Sequence, residues 1–259
     1  MKFIEECNIL MNKNDNIGGR AYSNGVRLNN KRKSVKAYYD IEGSLKVKVN
    51  NVKNNEYLKY IKMIPILRGI ATILIAIFSF LKEASKKPKK YWFIFLIIIL
   101  DIIYISLPDS SGVMLEEIIL FFYIAVPIIL IYIFRNNVSE VLKYHGAEHK
   151  AVNYYEDEYK NNISSYSRIH RRCGSNVVFY YIIISVVAGF FDLGLNIYLK
   201  EILILGLAFE VLKYTPDKFL FIPTVFQKLV TREPDERHIK AAKMALNILT
   251  LKNLSKDNI

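Results

Sequence analysis

The sequence predicts a mainly α-helical, polytopic membrane protein with about four transmembrane helices in two hairpins, a re-entrant or interfacial helix and a small cytoplasmic β-element. Three observations carry this expectation. Apolar residues collect in four runs, although 23% of the chain is charged. Basic residues gather in alternate connections between those runs. Every long polar segment then falls on one side of the bilayer. The net charge of +12 would also suit nucleic acid or anionic lipid, but the basic residues flank apolar runs and form no continuous stripe. Membrane lipids are therefore the expected partners and nucleic acid is not.

Residues 1–60 are polar and read as a cytoplasmic region. Glu5, Glu6 and Asp15 interrupt the first twenty residues, which have no apolar core of signal-peptide length and are expected to remain uncleaved. Cys7 and Cys173 are far apart and form no disulfide framework, which fits a reducing compartment. Val35–Tyr39 and Ser44–Val49, joined through Asp40–Gly43, predict a β-hairpin, because Leu45, Val47 and Val49 alternate with Lys46 and Lys48.

Residues 61–81 hold only about 13 uncharged residues after Arg68, short of the roughly 20 that a span needs. This segment is read as re-entrant or interfacial, with a true span as the alternative. The first transmembrane hairpin is placed at 91–134, from Tyr91–Leu107 and its return partner Ile118–Phe134. Five lysines and one glutamate precede it in Lys82–Lys90, whereas Pro108–Glu117 has no basic residue. The former connection is therefore cytoplasmic and the latter external. A cytoplasmic segment follows at 135–176, then a second hairpin at 177–212 (Val177–Phe191 extended to Leu199, and Ile202–Leu212). The cytoplasmic tail, 213–259, places Ile239, Ala242, Leu246 and Leu249 at helical spacing after Pro234. Both termini are expected in the cytoplasm of a bacterial cell, with the chain in its cytoplasmic membrane.

The chemistry concentrates in two short segments that hold three of the four histidines. In Tyr144-His-Gly-Ala-Glu-His-Lys150, a helix directs His145, Glu148 and His149 from one face, the two imidazoles about 40° apart. Imidazoles at i and i+4 can share a divalent ion, with a carboxylate beside them as ligand or general base, and the spacing is that of the inverted zinc-protease motif. The second segment, Arg168-Ile-His-Arg-Arg-Cys-Gly174, adds His170 and Cys173. His145, His149 and Cys173 form a donor set suited to zinc, with His170 or Glu148 able to complete it. Asp101, Asp192 and Glu210 are ionisable groups within apolar runs, and Glu210 is placed to approach the histidines. The competing reading makes these residues a hydrogen-bonded structural core, with Arg168, Arg171 and Arg172 as topology signals and lipid anchors.

These two segments, with Ile64-Pro-Ile-Leu-Arg-Gly-Ile70 and Thr231-Arg-Glu-Pro234, resemble the YqhQ-like family over roughly residues 17–250. The resemblance implies a bacterial multi-pass membrane protein of unknown function, of a kind described as predicted metal-dependent enzymes. One motif departs from the family pattern. Gly-Gly-Gln-Ala-Val-x-Glu-Gly-Val-Met is replaced here by Gly18-Gly-Arg20-Ala-Tyr-Ser-Asn24-Gly-Val-Arg27, so an amide has become Arg20 and a carboxylate Asn24. A catalytic or ligating role for that carboxylate in relatives would leave this copy altered, while the retained glycines imply a retained turn.

Three functions are consistent with these residues. One is a metal-dependent hydrolase at the cytoplasmic membrane face, with Glu148 as its catalytic base. Another is a non-catalytic assembly or translocation factor, acting with a membrane protein partner or a second copy of the chain. A transporter using Asp101 and Glu210 is the third, weakened by the lack of paired broken helices.

Overall fold

The computed structural model describes residues 16–52, 60–88, 91–92, 95–99, 102, 113–191 and 194–251. The expected first span, Tyr91–Leu107, lies largely outside these residues, as do Asp101 and Asp192.

The chain is mainly helical, with one small antiparallel sheet. Strands β1 (Gly18–Tyr22), β2 (Gly25–Asn29), β3 (Lys33–Tyr39) and β4 (Leu45–Asn51) pair in sequence order. The sequence-predicted hairpin is its second half, with Val35 opposite Val49, Ala37 opposite Val47 and Gly43 at φ 77° in the turn. The first half escaped the sequence reading because β1 is too short and glycine-rich to show an alternating pattern. One face buries Val26, Leu28, Val35 and Ala37 completely. The opposite face aligns Arg20, Arg27, Lys36 and Lys48 in a single cross-strand row.

Two helices cover the buried face. Helix α3 (Arg135–Glu156) presents Tyr144, Ala147 and Ala151, and the C-terminal α7 (Glu236–Thr250) presents Ala241, Ala242, Ala245 and Leu246. Helix α7 starts at Asp235, whose side chain accepts from the backbone of His238 while the His238 ring accepts from the Asp235 N–H. The tail helix is thus core material: its small alanine face admits close approach to the strands.

The remaining helices are α1 (Leu67–Ser85), α2 (Val113–Ile133), α4 (Gly174–Gly189), α5 (Ile197–Tyr214) and α6 (Phe221–Leu229). Helices α4 and α5 form an antiparallel hairpin, with Tyr180 Oη hydrogen-bonded to Thr215 and Tyr181 Oη donating to Glu201 at 2.7 Å. Helix α1 is tied to polar groups at both ends. Arg68 and the Ile66 N–H bind Glu210 of α5, and Glu83 accepts from Arg20 and Tyr22 of β1. Ile66 holds φ 66° there, an unusual conformation for a β-branched residue.

Among the described residues no single helix is long and apolar enough to cross a membrane. A bent pair reaches that length together: the last part of α2, Ala125–Ile133, and α3, meeting at 84°, and α4 is a shorter apolar helix. Helices α2, α4, α5 and α6 nevertheless expose large apolar side chains. Tyr132 is 71% exposed, Phe190 82% and Leu229 71%.

Candidate metal centre

Helix α3 carries His145 and His149 one turn apart, their ring centroids separated by 4.4 Å. Each imidazole is aimed by a backbone carbonyl. His145 Nδ1 lies 2.9 Å from Val230 O, and His149 Nδ1 lies 2.6 Å from Arg168 O. These bonds fix the tautomers with protons on Nδ1 and leave each Nε2 unprotonated, the arrangement that orients metal-binding histidines. Cys173, the N-cap of α4, places its sulfur 3.5 Å from His145 Nε2 and 3.1 Å from Ser175 Oγ.

The donor atoms of His145, His149 and Cys173 all lie within 4.8 Å of one another. Tetrahedral zinc at about 2.1 and 2.3 Å holds its ligand atoms about 3.4–3.6 Å apart, so closing the set takes side-chain shifts of about an ångström. Burial resists ionisation of the Cys173 thiol, but the His149 ring beside it and the Ser175 hydroxyl prevail and hold it below its ordinary range. Burial likewise keeps His149 neutral by lowering its affinity for protons, despite the nearby sulfur. A readily ionised thiol beside a neutral imidazole is the state that ligation of zinc requires. The residues present fit the metal.

Gly146 makes part of this geometry possible. A Cβ there would stand 2.1 Å from the Arg232 carbonyl oxygen. Without one, the 230–234 segment lies directly on α3, where the Arg232 N–H donates to Leu142 O at 3.0 Å. That contact seats the Val230 carbonyl on His145.

Glu148 is buried beside the pair and makes no hydrogen bond or ion pair among the described residues. Burial raises its carboxyl to about 7, opposed only in part by His145. Strand β1 covers it: a Cβ on Gly19 would lie 2.7 Å from the carboxyl group. Gly19 is therefore needed for close approach within a strand, whereas Gly18 has ordinary space around it, and the turn of this motif is not made by the pair. The turn falls instead at Ser23–Asn24, where Asn24 Nδ2 donates to the Tyr39 carbonyl at 2.8 Å. Asn24 thus holds the sheet and takes no part in the cluster, while Arg20 reaches the cavity wall.

His170 and Glu210 are not brought into the donor set. The His170 ring contacts Glu156 through Nε2 at 3.2 Å, and its Nδ1 accepts from the Arg172 N–H. Glu210 is engaged by Arg68 and the Ile66 N–H. His170 is engaged by Arg172 two positions on and Glu156 fourteen positions back, and Glu210 by groups at the start of α1. The arginines are likewise ties between segments. Arg168 donates to Thr231 O, Arg171 to Asp217 and Thr215 O, and Arg172 to Glu156, Asn16 and Ile17 O.

Sequence reasoning missed Gln227 and Asn176. Both are fully buried, and their amides donate to the His170 carbonyl, with Gln227 also 3.3 Å from His149 Nδ1. A lone glutamine in the apolar stretch Phe221–Leu229 was the available signal.

A family model described as "Protein of unknown function (DUF1385)" matches residues 64–252, a stretch that includes every residue of this cluster. The chain belongs to this family. The DUF1385 chain is also 26% identical over 305 aligned positions to the uncharacterized protein YqhQ of Bacillus subtilis (strain 168), covering 93% of this chain and 94% of that relative. No solved structure matches it.

Proposed function

We propose that this DUF1385 protein is a membrane-embedded, metal-dependent hydrolase whose site lies at the cytoplasmic membrane face. The observation that carries the reading is the convergence of His145, His149 and Cys173 with both imidazoles carbonyl-oriented. These three residues would hold the zinc. A bound zinc supplies Lewis-acid polarisation of the reacting oxygen. Glu148, held protonatable near neutral pH, accepts the proton of the attacking water and returns it to the leaving group as the scissile bond breaks. The membrane placement is supported by the apolar side chains exposed along α2, α4, α5 and α6. It accounts for α1 as an interfacial helix whose ends stay with polar partners.

Metal analysis of the purified protein tests this. About one zinc per chain is expected, lost in His145→Ala/His149→Ala and reduced in Cys173→Ser. A folded wild-type protein that stays metal-free after incubation with zinc would end the hydrolase reading. That result would favour the assembly-factor reading, which has its own support. Gln227 of α6 and Asn176 of α4 already share the His170 carbonyl, Arg168 donates to Thr231 O, and the His149 ring ties α3 to the Arg168 carbonyl, all without an ion.

A further inference from the structure

We propose that the same site takes a phosphate-bearing amphiphile, its anionic group at the start of α4 and its apolar portion between α1, α4 and α5. The chemistry of this proposal rests on the metal-centre reading, but its binding argument does not.

The donor cluster opens into a cavity of about 1010 Å³. Its wall carries six basic side chains, Arg20, Lys62, Arg68, Arg171, Arg172 and Lys213, and one acidic side chain, Glu148. The four arginines have carboxylate partners in Glu83, Glu210, Asp217 and Glu156, none of which lines the cavity. Lys62 and Lys213 form no ion pair among the described residues. A cavity with this balance selects anions.

The N-terminus of α4 gives the anion a place. Cys173 caps that helix without a side-chain hydrogen bond, and its first turn holds no acidic residue. Gly174 and Ser175 line the cavity, and the space beside Gly174 is open. Helix N-termini of this kind bind phosphate through backbone N–H groups and the helix dipole. The independent pointer to a ligand is Glu148. It is 7% exposed, has no partner among the described residues, and faces the same cavity from the other side. A carboxyl so placed is satisfied by a bound molecule or its attacking water.

The apolar part follows from the remaining wall. Val177, Phe209 and Leu212 carry the cavity away from the histidines toward α4 and α5. The volume stands at the upper end of the range for ligand pockets, about 300–1,000 Å³, far more than a free phosphate fills. A phosphate attached to an apolar body uses both halves. Free phosphate or a soluble phosphate ester uses only one.

Binding to purified full-length protein in a neutral detergent tests the proposal. The probes are dihexanoyl phosphatidic acid, dihexanoylglycerol, glycerol 3-phosphate and inorganic phosphate. Phosphatidic acid is expected to bind about tenfold or more tightly than any other probe. Lys62→Gln/Lys213→Gln should weaken it by about tenfold, whereas Lys48→Gln, on the far face of the sheet, should not. Equal binding of the uncharged diacylglycerol overturns the anion site, and equal binding of glycerol 3-phosphate or inorganic phosphate overturns the amphiphile. An unaffected lysine double variant overturns the role of the cavity. Zinc content measured on the same samples separates the two readings. Zinc without lipid binding ends this proposal alone, and lipid binding by a wild-type protein that takes up no zinc ends only the metal reading.

Discussion

Two regions of this molecule use the same apolar residues in opposite ways. In the β1–β4, α3 and α7 unit, Val26, Leu28, Val35 and Leu246 are fully buried, and the charged side chains lie outside apart from Glu148 and Lys150. Along α4, Val186 and Val187 are more than half exposed, and along α2 the same holds for Ile131 and Ile133. The first region folds by removing apolar surface from water. The second leaves too much apolar surface uncovered for that term to hold it, and its cohesion comes from specific contacts such as Arg68 with Glu210. The candidate metal centre lies where the two meet, since its histidines belong to the first region and Cys173 caps a helix of the second.

The contrast can be broken most decisively by substitution within each region. Leu246→Ala should cost the folded protein about 2–5 kcal/mol, measured by chemical denaturation in detergent, while Val187→Ala should cost well under 1 kcal/mol. Similar losses at both sites would mean that α4 is buried in a core of the same kind. The orientation has its own test. An alkaline phosphatase reporter fused after Lys160 should remain inactive and one fused after Gly194 should be active; the reverse pattern would remove the cytoplasmic placement of the site.

A smaller effect is expected where strand meets site. Gly19→Ala must displace the Glu148 carboxyl, at a cost of about 1–3 kcal/mol, while zinc content stays near the wild-type value. A fall in zinc equal to that of His149→Ala would show that β1 positions the ligands as well as Glu148. The smallest effect concerns pH. Burial lowers the His238 imidazole below its ordinary value of 6.5, and Glu140 opposes this without overcoming it. The fold favours neutral His238, so its contribution is fully present above pH 6.5 and is lost as pH falls through 6.5 toward the lowered value. His238→Gln keeps a capping partner at the third position of α7. It should therefore lose less stability than wild type between pH 7.5 and 5.5. Parallel curves would contradict this.

Much of the site was legible because it is local. His145, Glu148 and His149 share a helical face through the 3.6-residue repeat alone, and the alternation of Leu45, Val47 and Val49 marks a strand without further context. The hairpin of β1 and β2 lacked such a signal. Gln227 and Asn176 were invisible as site residues because their partners lie 57 and 6 positions away, on the His170 carbonyl. His170 and Glu210 stand outside the donor set for a related reason. Spacing shows which groups can point the same way, and it is silent on which neighbour claims each group first.

The sequence by itself determined the helical periods, the pairing of His145 with His149 and the separation of apolar from charged segments, since each depends on residues within a few positions. Tertiary structure alone decided that Cys173 meets those histidines, that Gly19 lies on Glu148, and that the Val230 and Arg168 carbonyls fix the rings. Those are long-range contacts between backbone and side chain, set by how closely segments approach, and close approach depends on the packing of the whole chain.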